Sequence, residues 1–317
     1  MQRKYIVTGG AGLIGSSVIE ELNRIGESDI LVVDHLGTTE KWKNLTRLKF
    51  SDYVEKDRFL EMVLNGEAFQ KVTHCIHLGA CSSTTEKDAT YLIENNYKYT
   101  QILGAFCMTR GIRFLYASSA ATYGEGENGY IEENLESLKP LNMYGYSKHL
   151  YDLYASRYKF LDKITSVKYF NVFGFGEEHK GEMRSLVLKG YEQIKSSGKL
   201  KLFKSYRPEF KDGEQKRDFL YSRDAAKATL HLLHNNHYGI YNIGRGVAET
   251  WNSVANALFK AMKLTPKIEY IEMPEHLKGK YQYFTQADIS KLMSTSYSDG
   301  FMDLENSIQE YISRMEN

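Results

Sequence analysis

The chain carries the stretch YIVTGGAGLIG at residues 5–15, an apolar run that leads directly into a glycine-rich turn. Residues 16–25 follow with the pattern of a helix, and the run ILVVD at residues 30–34 indicates a second strand that ends in an acidic residue. Strand, glycine turn, helix and strand come in the order and at the spacing of a dinucleotide-binding unit. The stretch therefore predicts that the chain begins with a Rossmann-type βαβ unit.

Three glycines and one aspartate of this unit have separate physical tasks. Gly9 permits the tight turn, Gly12 lets the backbone approach a pyrophosphate, and Gly15 lets the helix pack close to the strand. The N–H groups at the start of the helix then face the phosphates. Asp34 ends the second strand, where a carboxylate can hold a ribose hydroxyl. Because glycine triplets alone are weak signals, the prediction depends on their place between a strand and a helix.

The composition restricts the classes of protein to which the chain can belong. A length of 317 residues with 42% hydrophobic residues suits a sheet-based core with a second lobe. The net charge of +1 argues against a nucleic-acid partner. Three irregularly placed cysteines predict neither a disulfide framework nor a zinc site, and we expect no metal. No apolar run is long enough for a bilayer and no signal peptide fits before the first strand, so we expect a cytoplasmic protein without a membrane partner.

Strand-like and helical patterns alternate along the first two thirds of the chain. After the first unit, further apolar strand-like runs occur at residues 72–78, 113–119, 165–170 and 239–244. Helical patterns lie between them, near residues 57–65, 88–109 and 145–160. Such alternation is typical of parallel strands joined by crossover helices. The fold class that we predict is α/β, a Rossmann-type doubly wound parallel sheet with a smaller α/β C-terminal substrate lobe.

The last third has a different pattern. We expect a helix at residues 183–197, a polar loop at 204–216, and a helical tail from Trp251 with a short strand near 267–271. From this change we predict two interleaved domains. Residues 1–172 and 218–246 form the nucleotide-binding domain, and residues 173–217 and 247–317 form the substrate-binding lobe.

Tyr144 and Lys148 are the candidate catalytic pair. They lie four residues apart in a predicted helix and therefore share a face. A neighbouring ammonium stabilises phenolate, so we expect the pKa of Tyr144 to fall, which makes the phenol a usable acid or base. Tyr191 and Lys195 have the same spacing in this chain of 24 tyrosines. Only the first pair follows a serine-bearing strand end, at residues 117–124, so we predict that Ser119, Tyr144 and Lys148 are catalytic.

Together these residues resemble the extended short-chain dehydrogenase/reductase superfamily, whose members use serine, tyrosine and lysine beside a nicotinamide. The chain is also similar, essentially end to end, to the subfamily of epimerases that invert C6 of an ADP-heptose for lipopolysaccharide core synthesis. The segments that carry this second resemblance lie at residues 79–86, 117–124, 140–148, 169–174, 179–181, 216–219 and 278–288. Those around Cys81, Lys180 and Tyr281 are specific to the subfamily, whereas the glycine turn and the tyrosine–lysine pair are shared by the superfamily.

The resemblance implies an enzyme that oxidises and re-reduces its substrate with a bound nicotinamide, and a homo-oligomer such as a pentamer. It assigns the role of a second acid/base to Lys180, which is useful because hydride must return to the other face of a ketone. Asp34 alone indicates NAD, since a carboxylate repels a 2′-phosphate. Lys41 and Lys56 match positions that offset this charge in NADP-binding members, so we expect NADP, with NAD as the alternative.

The remaining site residues are assigned only by the resemblance. It implies a cofactor site lined by Gly9, Gly12, Leu13, Ile14, Gly15, Asp34, His35, Lys41, Lys56, Leu78, Gly79, Ala80, Cys81, Ser82, Asn95, Lys148, Val172 and Lys180. It implies a nucleotide-sugar site that includes Asn171, Phe203, Arg217 and Tyr281, with Arg217 as a diphosphate clamp.

Three other classes of protein can be weighed against this interpretation by residue: the 4,6-dehydratases lack support here, and the other two stay open as alternatives. Sugar-nucleotide 4,6-dehydratases usually carry Asp-Glu after the catalytic serine or threonine, where this chain has Ala120 and Ala121. UDP-hexose 4-epimerases share the triad but lack a lysine in the setting of residues 179–181. A non-catalytic nicotinamide sensor would typically lose the tyrosine or the lysine. The chain also departs from the subfamily in a longer stretch at 206–215 and in Glu182 and Lys189, which replace a small polar residue and a histidine.

Overall fold

A seven-stranded parallel sheet forms the centre of the protein. The computed structural model describes residues 4–67, 69, 71–275 and 282–316. The strands in these ranges are β1 (Lys4–Thr8), β2 (Ile30–Asp34), β3 (Asp52–Glu55), β4 (Val72–His77), β5 (Arg113–Ser119), β6 (Thr165–Tyr169), β7 (Asn171–Phe173), β8 (Leu200–Phe203), β9 (Lys216–Tyr221), β10 (Gly239–Ile243), β11 (Ala248–Thr250) and β12 (Ile268–Ile271). The large sheet has the order β10-β6-β5-β4-β1-β2-β3, which confirms the predicted doubly wound α/β fold.

Helices cover both faces of this sheet. The α-helices are α1 (Leu13–Arg24), α2 (Lys56–Leu64), α3 (Ala89–Leu92), α4 (Tyr99–Thr109), α5 (Met143–Arg157), α6 (Leu186–Ser197), α7 (Ser222–His234), α8 (Trp251–Ala261), α9 (Ser290–Met293) and α10 (Leu304–Glu316). A π-helical turn, Ile93–Lys98, joins α3 to α4, so the helix predicted at residues 88–109 is interrupted. No helix in the described ranges is long and apolar enough to cross a bilayer.

The alternation of side chains along β1 explains why both faces need a cover. Tyr5 and Val7 pack into one buried apolar cluster, together with Val18 of α1. Ile6 points to the opposite face and packs with Leu103 of α4. Because successive residues of a strand face opposite sides, a strand that is apolar throughout must be buried on both faces. This accounts for the continuous apolar runs in the sequence.

The second lobe contains two small sheets and a separate core. Strand β9 lies between β7 and β11, while β12 pairs with β8 in parallel. Their core includes Phe173, Leu258 and Ile308. The predicted loop at 204–216 is one residue too long, because Lys216 already begins β9. The boundaries that we predict for the two interleaved domains stay a prediction.

The fold places a crevice at the carboxyl ends of β1 and β4. From β1 the sheet is built outward in two directions, through β2 on one side and β4 on the other. Connections that leave a parallel sheet in opposite directions open a cleft at this point, which is where ligands bind in doubly wound folds. The glycine turn follows β1 and residues 78–82 follow β4, so both predicted segments border the cleft.

Candidate active site

Two adjoining cavities, of about 300 Å³ and 150 Å³, lie in this crevice. They share lining residues at the glycine turn, at Asp34 with Lys41, and at residues 79–80. The larger also contains Ser119, Tyr144 and Lys148, while the smaller contains His35, Lys56, Cys81 and Asn95. Each residue that the sequence assigned to the cofactor lines at least one of the two cavities. The structure therefore brings the predicted cofactor residues and the predicted triad into one continuous cleft.

The glycine turn is packed too closely for side chains. Gly9 has a φ of +68°, and a Cβ there would lie 2.6 Å from the Gly79 nitrogen. A Cβ on Gly15 would lie 2.1 Å from the Gly9 oxygen. Any larger residue would push α1 away from β1, because these neighbours are backbone atoms that cannot move aside. The turn is therefore a cradle of backbone at the start of a helix, which is the form of site that binds phosphate groups.

The carboxylate of Asp34 is held by three donors. Its Oδ2 accepts a hydrogen bond from the Ala11 nitrogen at 2.8 Å. Its Oδ1 accepts from the His35 nitrogen at 2.7 Å and from Lys41 Nζ at 2.5 Å. Lys56 lies on the same cavity wall, where its Nζ donates to Asn95 Oδ1 at 2.6 Å. The negative charge of Asp34 is thus offset by a direct ion pair, with a second lysine nearby.

Asn96 holds the segment after β4 against α5. This buried side chain accepts from the Cys81 nitrogen at 2.9 Å and donates to the Cys81 oxygen at 3.0 Å. It also donates to Ser147 Oγ at 3.0 Å, on the helix that carries Tyr144. Sequence reasoning missed Asn96, although a polar residue inside a helical pattern beside Asn95 was a signal. Both asparagines lie on the π-helical turn, a local geometry that is frequent at functional sites.

The predicted triad occupies the end of β5 and the first turns of α5. Asn142 caps α5, since its side chain accepts from the Gly145 nitrogen at 2.9 Å. Burial raises the pKa of Tyr144, and the hydroxyl of Ser119, which faces the phenol, opposes this shift only in part. The Nζ of Lys148 donates to the Ala117 oxygen at 2.8 Å, and burial lowers the pKa of this amine to about 8. The predicted fall in the pKa of Tyr144 is therefore wrong for this structure: burial dominates, and the ammonium is directed to a carbonyl instead of the phenol.

A buried polar network fixes β5 relative to α5. Asp152, which shares a helix face with Lys148, accepts hydrogen bonds from Tyr116 and Ser118 at 2.7 Å and from Ser166 at 3.1 Å. It also forms an ion pair with Lys168 at 2.6 Å, in which both side chains are fully buried. A buried ion pair is stable only when the other hydrogen-bonding sites of its groups also have partners, and here Tyr116, Ser118 and Ser166 supply them to the carboxylate. No sequence pattern predicts this network, which lies below the strand end that presents Ser119.

Lys180 reaches the same cavity from the other lobe. It lies in the 3₁₀ segment Glu178–Met183, between β7 and α6. Burial lowers the pKa of its amine, and the charge of Glu177 opposes this shift. Asn44 ties this part of the chain to the glycine turn, because its Nδ2 donates to Ala11 O at 2.9 Å and to Gly176 O at 2.8 Å.

The predicted substrate residues lie outside the described lining of the two cavities. Asn171 begins β7 and accepts from Thr285 Oγ1 at 3.2 Å, while Phe203 ends β8. Arg217 is buried in β9, where its guanidinium donates to the oxygens of Lys216 and Gln282. Tyr281 lies outside the described residues. The substrate roles of these four residues stay predictions.

The two residues that depart from the subfamily pattern contact each other. Lys189 Nζ donates to the Glu182 backbone oxygen at 2.6 Å and pairs with the Glu182 carboxylate at 3.1 Å. Glu182 is next to Met183, which lines the larger cavity. The two departures therefore form one ion pair at the edge of the cleft.

Comparison with known proteins identifies the family. The sequence profile of the NAD dependent epimerase/dehydratase family matches residues 5–244. A relative from Nitratidesulfovibrio vulgaris (strain Hildenborough), named ADP-L-glycero-D-manno-heptose-6-epimerase, is 50% identical over 313 residues, 98% of this chain and 97% of the relative. A relative of the same name from Fusobacterium nucleatum is 44% identical over 319 residues, 97% of this chain and 96% of the relative.

Solved structures share the fold. The Helicobacter pylori ADP-L-glycero-D-manno-heptose-6-epimerase superposes with a TM-score of 0.82 at 24% identity, covering 99% of this chain and 97% of the other, which shows a common fold. The Thermus thermophilus UDP-glucose 4-epimerase complex with NAD has a TM-score of 0.79 at 26% identity and covers 99% of both chains. The predicted resemblance to extended short-chain dehydrogenase/reductase epimerases is confirmed, and it agrees with the name that the curated relatives carry. The chain belongs to the NAD dependent epimerase/dehydratase family.

Proposed function

We propose that the protein inverts C6 of ADP-D-glycero-D-manno-heptose to the L-glycero form, using a nicotinamide cofactor that is regenerated in each turnover. The observation that carries this proposal is that Tyr144 and Lys180, two partly buried groups from different lobes, line one cavity. A reaction that removes and returns hydride on opposite faces of one carbon needs two differently placed acid/base groups. The names of the curated relatives supply the substrate.

The residues of the cleft fit a dinucleotide. The cradle formed by Gly9 and Gly15 leaves backbone N–H groups at the start of α1 for a pyrophosphate, and Asp34 with Lys41 borders the position of a ribose. Lys148 and Ser119 border the opposite end of the larger cavity, beside Tyr144. A nicotinamide held beside Lys148 and Ser119 would supply the redox chemistry at C6, as acceptor and then donor of one hydride.

Tyr144 and Lys180 are suited to opposite halves of such a cycle. Burial favours the neutral form of each group, because it raises the pKa of Tyr144 and lowers that of Lys180. In one direction Lys180 accepts the proton of the C6 hydroxyl during oxidation, and Tyr144 donates a proton to the C6 oxygen during re-reduction. The ammonium and phenolate that remain return to their neutral forms by proton exchange with water. A neutral base and a neutral acid in one site are what the two half-reactions require.

The first experiment is to incubate the purified protein with ADP-D-glycero-D-manno-heptose and to follow C6 by NMR. We expect the L-glycero epimer to appear with no steady change in the near-ultraviolet absorbance of reduced nicotinamide, because hydride is returned. Conversion of a UDP-hexose in place of the ADP-heptose would contradict the proposal and favour a 4-epimerase. Lys180→Met should suppress epimerisation by roughly 10²–10⁴-fold while the cofactor stays bound. An unchanged rate would remove Lys180 from the mechanism.

We infer that the cofactor is NADP. The support is electrostatic: Lys41 neutralises Asp34 directly, and Lys56 adds a second cation to the same cavity. Lys41→Met should weaken NADP binding more than NAD binding, because lysine is a common phosphate partner. Lys43→Met is the matched control, since Lys43 belongs to the same 3₁₀ segment and pairs with Glu40 in solvent. Recovery of NAD alone from the denatured protein would overturn this inference.

A further inference from the structure

Glu177 is a fully buried carboxylate directly before the segment that carries Lys180. It accepts four hydrogen bonds, and all of its donors lie in the second lobe. The Ser185 nitrogen donates at 2.5 Å and the Ser185 hydroxyl at 2.7 Å, while the Gly174 nitrogen donates at 3.3 Å and the Tyr311 hydroxyl at 3.2 Å. Burial raises the pKa of this carboxyl, and the hydrogen bonds from Ser185 and Gly174 oppose that shift because they stabilise the anion.

The donors of Glu177 are arranged at both ends of one loop. Gly174 precedes the 3₁₀ segment and Ser185 follows it, so a single side chain closes the base of the loop. Ser185 also caps α6 by accepting from the Leu188 nitrogen at 3.1 Å. Within the loop the chain kinks at Gly181, whose φ is +53°. The position of Lys180 in the cleft therefore depends on the clamp that Glu177 forms below it.

The charges around Lys180 also single out Glu177. His179, on the same segment, has its pKa lowered to about 4 by burial and by the positive charges of Lys41 and Lys180, so near neutral pH it is uncharged and adds no positive charge. Asp34, on β2, is already paired with Lys41. Glu177 is the group whose charge acts on Lys180 against the effect of burial. A buried amine that lost this neighbour would hold its proton less strongly.

We propose that Glu177 is a positioning residue for Lys180, which clamps the loop that presents this lysine to the cleft and supplies the negative charge that lets it bind a proton. The proposal rests on the proposed function, in which Lys180 is an acid/base group. Glu177 itself lies below the loop and acts through Lys180.

The test compares Glu177→Gln with Glu178→Gln. Both variants remove one carboxylate and differ by one position, but Glu178 is exposed. The ionisation of Lys180 is measured without any turnover, from the pH dependence of its acetylation by acetic anhydride, read by mass spectrometry of the peptide that contains it. We expect the midpoint to move to lower pH in Glu177→Gln, because the amide no longer stabilises the ammonium, and to stay in place in Glu178→Gln.

Kinetics complete the comparison. In Glu177→Gln we expect kcat to fall by roughly 10- to 100-fold with a small change in KM, as for lost support of an acid/base group. Glu177→Asp keeps the charge on a shorter side chain, so it should restore the acetylation midpoint more than it restores kcat. Tyr311→Phe removes one of the four donors and keeps the charge, and it should lower kcat by roughly 2- to 10-fold even if Glu177→Gln fails to fold.

Two results would overturn the proposal: an unchanged acetylation midpoint in Glu177→Gln, or a shifted midpoint with wild-type kcat. Failure of the proposed function has a different signature. If Lys180→Met epimerises normally while the midpoint still moves in Glu177→Gln, the effect of the Glu177 charge on Lys180 is upheld and the catalytic role of Lys180 is lost.

Discussion

The protein contains two tyrosine–lysine pairs at the same helical spacing, and they behave in opposite ways. In α6, Lys195 Nζ donates to the Tyr191 hydroxyl at 3.2 Å and lies 5.3 Å from the centre of its ring. In α5, Lys148 donates to the Ala117 carbonyl. The pair with the direct contact is the one for which we predict no role in catalysis. Direct contact between a phenol and an ammonium is therefore a poor indicator of an active site.

The surroundings of each pair explain the difference. Tyr144 and Lys148 lie beside the carboxyl end of β5, where the sheet leaves a cleft and where Ser119 faces the phenol. Tyr191 is buried in the core of the second lobe and its hydroxyl also donates to Glu316, while Lys195 is exposed. Tyr144 and Lys148 therefore face a cavity that can hold a ligand, whereas Tyr191 is packed against other side chains of the core. Each of the following experiments makes a matched change at both pairs, either in a member of the pair or in the hydrogen-bond partner of its tyrosine.

The largest effect is expected for removal of the phenol. Tyr144→Phe should lower the rate of epimerisation by roughly 10²–10⁴-fold, because a proton donor at the reacting oxygen is lost. Tyr191→Phe should stay within about threefold of the wild-type rate, since surface and core changes away from a site act mainly on stability. Both rates are measured by NMR at saturating substrate. Equal losses in the two variants would end the distinction between the pairs.

Removal of the ammonium should separate the pairs by binding as well as by rate. Lys148→Ala should lose cofactor from the purified protein and lower the rate by roughly 10²-fold or more, because this amine lines the cleft beside Tyr144. Lys195→Ala should retain both properties. Cofactor content is measured in the denatured extract. A Lys148→Ala variant that keeps its cofactor would show that Lys148 does not hold the cofactor and acts only on the phenol of Tyr144.

A smaller effect is expected in the pH dependence of stability. The pKa of Lys148 is lowered to about 8 by burial from an ordinary value of 10.5, so between these pH values the unfolded chain binds a proton that the folded protein has released. The free energy of unfolding therefore rises with pH across this window, by about 3 kcal/mol for one such group. Lys148→Met should lack this rise and Lys195→Met should retain it, as measured by urea denaturation of cofactor-free protein. Parallel curves for wild type and Lys148→Met would contradict the burial of a charged amine.

The smallest effect concerns the hydrogen-bond partner of each tyrosine. Ser119→Ala removes the hydroxyl that opposes the raised pKa of Tyr144, and we expect a loss of rate of up to roughly tenfold, the value of one hydrogen bond. Glu316→Gln changes the partner of Tyr191 and should leave the rate unchanged. The measurement is the steady-state rate of epimerisation of each variant near neutral pH. A loss of several hundredfold in Ser119→Ala would show that Ser119 itself contacts the substrate.

The parts of the site that were predictable from the sequence are those whose spacing is fixed by sterics. Gly9 and Gly15 must be glycines because backbone atoms occupy the positions that a Cβ would take. The spacing of these glycines can therefore be recognised in the sequence. Tyr144 and Lys148 share a helix face by the geometry of the α-helix. Strand runs of the large sheet were visible because both faces of that sheet are covered.

The parts that were not predictable depend on contacts between distant segments. Strand β9 begins with three polar residues and is stabilised by β7 and β11, so its sequence resembles a loop. Glu177 stands in a polar run that looks like a solvated surface, and only the fold buries it. The pKa of Tyr144 moved opposite to expectation because a sequence shows neighbours along a helix but not the loss of water around a phenol.

Asn44 has a mechanical consequence for the whole cleft. Its amide group joins Ala11 of the glycine turn to Gly176, and a Cβ on Gly176 would lie 2.8 Å from Asn44 Oδ1, so the two walls touch. Any displacement of the nucleotide end must break one of these two hydrogen bonds or carry the Lys180 loop with it. Each bond contributes about 0.5–1.5 kcal/mol, which sets the scale on which a shift of one wall could act on the other. A ligand that moved either end of the cleft would therefore load the same two hydrogen bonds of Asn44.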